Sequence, residues 1–261
     1  MIRKTALALA ALLLAVLMAS CVIQLPAGSA PEASDGVQPS SFPTLLPGSS
    51  ATAPTPASDI RNDEALSYFS EIALKSEYGG DAFEGIVRRW EEPIRFEING
   101  KYTQEDYAVL VHHFEALKAI DGMPDISIVE SGGNYVVHFV PLAQMASVVP
   151  GYVEGNWGFV NLSWDERGRI SRATVGIATD VTSQVQRDHL ILEETTQGLG
   201  LLNDSPRYMD SIYQVEWTEV QSLTPMDWLL VKMLYSPVVR AGMKQDEALP
   251  ALKAWLVPAS D

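Results

Sequence analysis

Glu193-Glu194-Thr195-Thr196-Gln197-Gly198-Leu199-Gly200-Leu201-Leu202-Asn203-Asp204 is the stretch on which the reading of this chain turns. Upstream, Thr182 and Ser183 are both helix-capping residue types, and a helix begun at either runs to about Leu199. On that helix Glu193 and Gln197 stand one turn apart on one face, with Glu194 beside the first of them. A helix that holds a metal ion and activates water needs two ligands spaced in this way. It also needs a neighbouring carboxylate as base, and a glycine where it ends sharply before a third ligand. Glu194 occupies the place of the base and Gly200 that of the glycine. The ligand places hold Glu193, Gln197 and Asn203 or its neighbour Asp204, so the frame is present without any imidazole.

Outward from this stretch the periodicity alternates between helix and strand. Residues 63–75 read as a helix with Leu66, Phe69, Ile72 and Ala73 on one side. Ile94, Phe96 and Ile98 alternate with Arg95 and Glu97 as a short strand ended by Asn99-Gly100. Thr103 caps an amphipathic helix with Glu105 and Asp106 in its first turn; Tyr107, Leu110, Val111, Phe114 and Leu117 are expected on its inward face. Four strand-like runs follow at 126–130, 135–140, 159–164 and 173–179, the last two joined through Asp165-Glu166-Arg167-Gly168. Thr224, Pro225 and Asp227 open a further helix that ends before Pro237. The order predicts an α+β fold, a mixed sheet backed by helices.

The first twenty residues have the build of an export signal. Arg3 and Lys4 precede an apolar run from Ala6 to Leu17, too short for a membrane span. Leu17-Met18-Ala19-Ser20-Cys21 resembles the lipobox of bacterial lipoproteins, with Met18 where leucine is usual. The resemblance implies cleavage before Cys21 and acylation of its thiol, hence an exported protein anchored to the bacterial cell membrane. Cys21 is the sole cysteine, so the exported part relies on no disulfide.

Residues 21–58 then read as a disordered linker. The stretch 24–58 is rich in Pro, Ser, Ala, Gly and Thr and contains no Lys or Arg. Fully extended it would reach about 110 Å, whereas a coil of that length spans on the order of 35 Å. Residues 59–261 have the composition of one globular domain. Arg3 and Lys4 are the only charges in the first twenty residues, so removing them takes the formal net charge from −15 to −17. Such an acidic body is a poor partner for nucleic acid.

From about Asp59 onward the chain resembles a bacterial family of unknown function whose members are described mainly as lipoproteins. Its hallmark stretch is similar to Glu193-Glu194-Thr195-Thr196-Gln197-Gly198-Leu199-Gly200-Leu201 followed by Asn203-Asp204-Ser205. That family is in turn similar to the metzincin (zincin-like) metallopeptidases, whose helix reads His-Glu-x-x-His-x-x-Gly-x-x-His or Asp. Asp210-Ser211-Ile212-Tyr213 resembles the turn in which metzincins place a methionine beneath the zinc, and Leu223-Thr224-Pro225-Met226-Asp227 the helix after it. The resemblance places Glu194 on the general base, Gly200 on the turn glycine and Tyr213 on the methionine. Glu193, Gln197 and Asn203 or Asp204 fall on the three ligands, and all three positions depart from the pattern.

Glu193, Gln197, Asn203 and Asp204 offer only oxygen donors, which suit calcium, magnesium or manganese better than zinc. The residues therefore allow a polar network in place of a metal site, or a divalent cation of unknown identity. His189, one turn before Glu193, extends the row at four-residue spacing; a solvated helix face explains it as well as a ligand does. His112 and His113 are adjacent and face different directions, and His138 lies within a strand. Glu194 with Gln197 would also suit a water-activating dyad, although both types are common on helices. No Gly-x-Ser-x-Gly or phosphate loop is present.

Gly155-Asn156-Trp157-Gly158-Phe159 falls where metzincins pair a sheet edge with substrate, which by resemblance suits an extended peptide. Two expectations follow. One is a tethered, non-catalytic domain with no cofactor, binding a peptide or protein of the cell envelope. The other is a metal-dependent hydrolase with oxygen ligands and Glu194 as base.

Overall fold

Strands Arg89–Trp90 (β1), Ile94–Gly100 (β2), Ile126–Val129 (β3), Tyr135–Val140 (β4), Gly158–Trp164 (β5) and Arg169–Ala178 (β6) form one sheet in a computed structural model. The structure describes residues 62–75 and 85–257; Cys21, the signal segment and the segment 21–58 lie outside the described residues. The strand order is β1-β6-β4-β2-β3, with β5 on the other side of β6. All neighbours are parallel except β5, which runs antiparallel to β6 through the turn at Asp165–Gly168. Asp165 closes that turn by accepting the main-chain N–H groups of Arg167 and Arg169. The two strands flanking Gly132-Gly133 do not pair with each other; both lie beside β2.

The helices are Asn62–Ala73 (α1), Gln104–Lys118 (α2), the single turn Met145–Val148 (α3), Gln184–Gln197 (α4), Pro225–Leu234 (α5) and Gln245–Leu256 (α6). The fold is thus α+β, a largely parallel sheet backed by helices. Alternation decides which strand residues meet which layer. Tyr135, Val137 and Phe139 of β4 join Phe96, Val175 and Ile177 in the main core, together with residues of α1, α2, α4 and α5. Phe96 stacks on Phe114 with ring centroids 3.6 Å apart. Val140, Met145, Val149 and Phe159 form a smaller cluster on the opposite face. Gly176 lets α3 close against β6 there, because a Cβ would stand 2.6 Å from Val149.

Local signals account for the helix starts. Thr103 and Asp106 form a reciprocal capping box on α2, as Ser183 and Gln186 do on α4 and Thr224 and Asp227 on α5. Two expectations from periodicity need correction. Tyr107 is 41% exposed and Val111 only partly covered; Asp106 and His113 take inward places beside Leu110, Phe114 and Leu117. His113 turns inward because it has a specific partner on α4, and Asp106 because it meets a buried arginine there. Helix α6 runs unbroken through Pro250, a residue type that argues against a helix in the sequence, and Ala248 and Leu252 are fully buried in the core.

Candidate functional site

Helix α4 carries the decisive stretch, and its ends are fixed from outside. At the start, Asp106 of α2 accepts from Arg187 Nε at 3.0 Å and from Gln184 Nε2 at 2.7 Å. Its other oxygen accepts the Thr103 N–H, so one buried carboxylate caps α2 and clasps α4. At the far end the last carbonyls meet aromatic side chains. Tyr135 Oη donates to Thr195 O at 2.8 Å, Trp90 Nε1 to Gly198 O at 3.0 Å, and Tyr235 Oη to Leu199 O at 2.9 Å. These donors satisfy groups that every helix C-terminus leaves open.

Two glycines make that end possible. A Cβ on Gly198 would fall on the Tyr135 hydroxyl. Gly200 has φ +114° and lies against the backbone oxygen of Arg88, so both its conformation and the lack of space demand glycine. The sharp turn expected at Gly200 is there, but the helix has already ended at Gln197.

Each of the four side chains at the ligand places has a partner within the protein. Gln197 Nε2 donates to Asp204 Oδ1 at 2.7 Å. Asn203 Nδ2 turns to the main-chain oxygen of Asp204, also at 2.7 Å. Glu193 lies 3.4 Å from His189 Nε2, and His189 Nδ1 bonds the Val220 carbonyl at 2.9 Å. Among the described residues no group of three or more His, Cys, Asp or Glu could hold a metal ion. The donors are oxygens and amides engaged with one another, and this set does not fit a zinc ion.

His189 is not on a solvated face, as the row spacing had allowed; it is 3% exposed. Trp217 covers it, with ring centroids 5.6 Å apart. Burial pulls its pKa down, but Glu193 and the Val220 carbonyl outweigh that and leave it raised. Glu194 points elsewhere. It is 6% exposed, and its Oε1 is 2.5 Å from where a Gly158 Cβ would stand, so it lies beneath the start of β5. Glu194 and Gln197, the pair considered as a water-activating dyad, thus leave α4 toward different neighbours.

Tyr213 sits in the turn before α5 and is fully buried, with no hydrogen-bond partner on its hydroxyl. That turn is held by Asp227, which accepts from Ser211 Oγ at 2.6 Å and from the Ile212 N–H at 3.2 Å. Burial raises the Asp227 pKa, and the hydroxyl and N–H donors offset only part of that effect. Asp227, Trp90, Tyr135 and Tyr235 support the site but were not assigned to it from sequence. Their partners are distant in the chain, and Thr224-Pro225-Met226-Asp227 showed only a helix start.

Beside the polar row lies an open strand edge. Among the described strands β5 pairs only with β6, and no described strand lies on its outer side. Trp157 stands at its beginning and packs edge-to-face on Trp217 at 5.4 Å. Trp217 is 48% exposed.

Residues 62–254 match the model of a family described as a protein of unknown function, DUF2927. The chain belongs to this family. It matches no curated protein. Among solved structures it is similar to the crystal structure of myroilysin, at 12% identity over 64% of this chain and 93% of that one, with a TM-score of 0.38. That likeness is weak and says nothing about activity.

Proposed function

We propose that this DUF2927 protein is an exported lipoprotein, anchored through Cys21, whose metzincin-like domain binds an extended peptide or protein segment of the cell envelope without cutting it. The observation that carries the reading is the edge of β5 that no described strand covers, beside Trp157 and Trp217, the latter packed on His189 of the α4 row. An open edge offers main-chain donors and acceptors to an added strand, and aromatic rings at its end give side chains a place to pack. The pairing of Gln197 with Asp204 and of Glu193 with His189 supports a binding rather than a hydrolytic role. Those groups hold one another, and Glu194 lies under β5.

Incubating the full chain with casein and with unstructured peptides, and following retention and cleavage together, separates the readings. Retention without new N-termini is expected. Cleavage that needs an added divalent cation and disappears in Glu194→Gln would replace the binding domain by a hydrolase. The anchor is tested separately: Cys21→Ala should release the protein from the membrane fraction.

A further inference from the structure

We propose that the Trp157–Trp217 pair is a subsite for a cationic side chain, arginine or lysine, of the bound peptide. The inference rests on the peptide-binding reading above and gives it a substrate class. Trp157 enters from the start of β5 and Trp217 from the segment before α5, so the pair sits where a strand laid along β5 would begin or end. An exposed tryptophan alone would take an aliphatic, aromatic or cationic side chain with little preference.

Charge decides between them. Glu216 and Glu219 flank Trp217 and are exposed, and Glu154 is exposed just before Trp157. Beneath them Glu193 pairs with His189, which touches Trp217, so its charge is already matched. Glu219 bonds the neutral amide of Gln186 at 3.1 Å. Among the described residues no ion pair joins Glu216 or Glu219 to a Lys or Arg of the chain. The exposed carboxylates therefore leave net negative charge beside two aromatic rings, in a chain of formal net charge −15. A guanidinium or ammonium would gain both the ring faces and the carboxylates, while an acidic side chain would be repelled.

The test uses a random octapeptide display library selected on the immobilised full chain, followed by affinity measurements on the peptides recovered. Enrichment of peptides with Arg or Lys is expected. Replacing that residue by norleucine should weaken binding about fivefold, the combined size of an exposed cation–aromatic contact and an exposed ion pair. Glu216→Gln with Glu219→Gln should weaken the basic peptide while leaving the norleucine peptide nearly unchanged, whereas Trp217→Ala should weaken both, the basic peptide more. If peptides are recovered without any basic preference, the subsite is wrong and the peptide-binding reading stands. If none is recovered, both fall. Self-association of the chain that Trp217→Ala abolishes would show that the rings serve a second copy, which also overturns the inference.

Discussion

Two buried histidines, one packed on α4 and one within it, have their pKa values shifted in opposite directions. His113 of α2 is 2% exposed and bonds Thr196 Oγ1 at 3.1 Å. That hydroxyl donates to Leu192 O at 2.6 Å, so it accepts from an Nε2–H of His113. Burial drives its pKa down to about 3. His189, 3% exposed, meets Glu193 and has its pKa raised despite burial. The side of α4 that packs on α2 is made to hold the fold. The row of His189, Glu193 and Gln197 keeps ionisable groups near the surface, under Trp217 and beside an open strand.

The largest effects should come from the α2 side. Asp106→Ala leaves the Arg187 guanidinium buried beside no carboxylate and should lower unfolding free energy by roughly 3 kcal/mol in urea titrations. Glu193→Gln, in the row, keeps an acceptor for His189 Nε2 and should cost less, about 1 kcal/mol. Equal losses would erase the contrast.

Acid should expose His113 by a comparable amount. Its folded pKa lies below the unfolded value of about 6.5, so the folded state binds fewer protons. Its contribution is fully present above pH 6.5 and is lost as pH falls toward 3, by roughly 3 kcal/mol at pH 4. His113→Gln should flatten that slope in stability–pH curves. His189 has the opposite sign: its contribution is present below the unfolded pKa and lost as pH rises through the raised folded one.

A smaller pair of substitutions compares two buried phenols. Tyr135→Phe removes the donor to Thr195 O and should cost about 1 kcal/mol. Tyr213→Phe removes a buried hydroxyl that has no partner and should be neutral or stabilising by up to about 1 kcal/mol. Thermal unfolding of both variants measures the difference, and a reversed order would mean the Tyr213 hydroxyl is engaged.

What could be read from the sequence was local. Capping pairs marked α2, α4 and α5, and alternation marked β2 and the β5–β6 hairpin, because those signals involve residues a few positions apart. β1 is only Arg89–Trp90 and makes no pattern of its own; Arg89 is placed by donating to Leu234 O and Val239 O far along the chain. Pro250 concealed α6, whose burial in the core outweighs the lost helix bond. At the site, helical spacing correctly put His189, Glu193 and Gln197 in one row. It could not show that Trp217 would cover His189, that Glu194 would turn under Gly158, or that Asp204 would return to Gln197. Those outcomes depend on loop 205–223 and on β5, which meet α4 only when the chain is folded.

Thermal unfolding of the full chain with chelator and with micromolar zinc tests most directly whether the row holds itself together. The melting temperature is expected to be the same in both, within about 1 °C, because the donors of the row are engaged with protein partners. A rise of several degrees with zinc, absent in Glu193→Gln with Gln197→Ala, would show that these side chains grip a metal and would contradict the reading of α4 as a binding element.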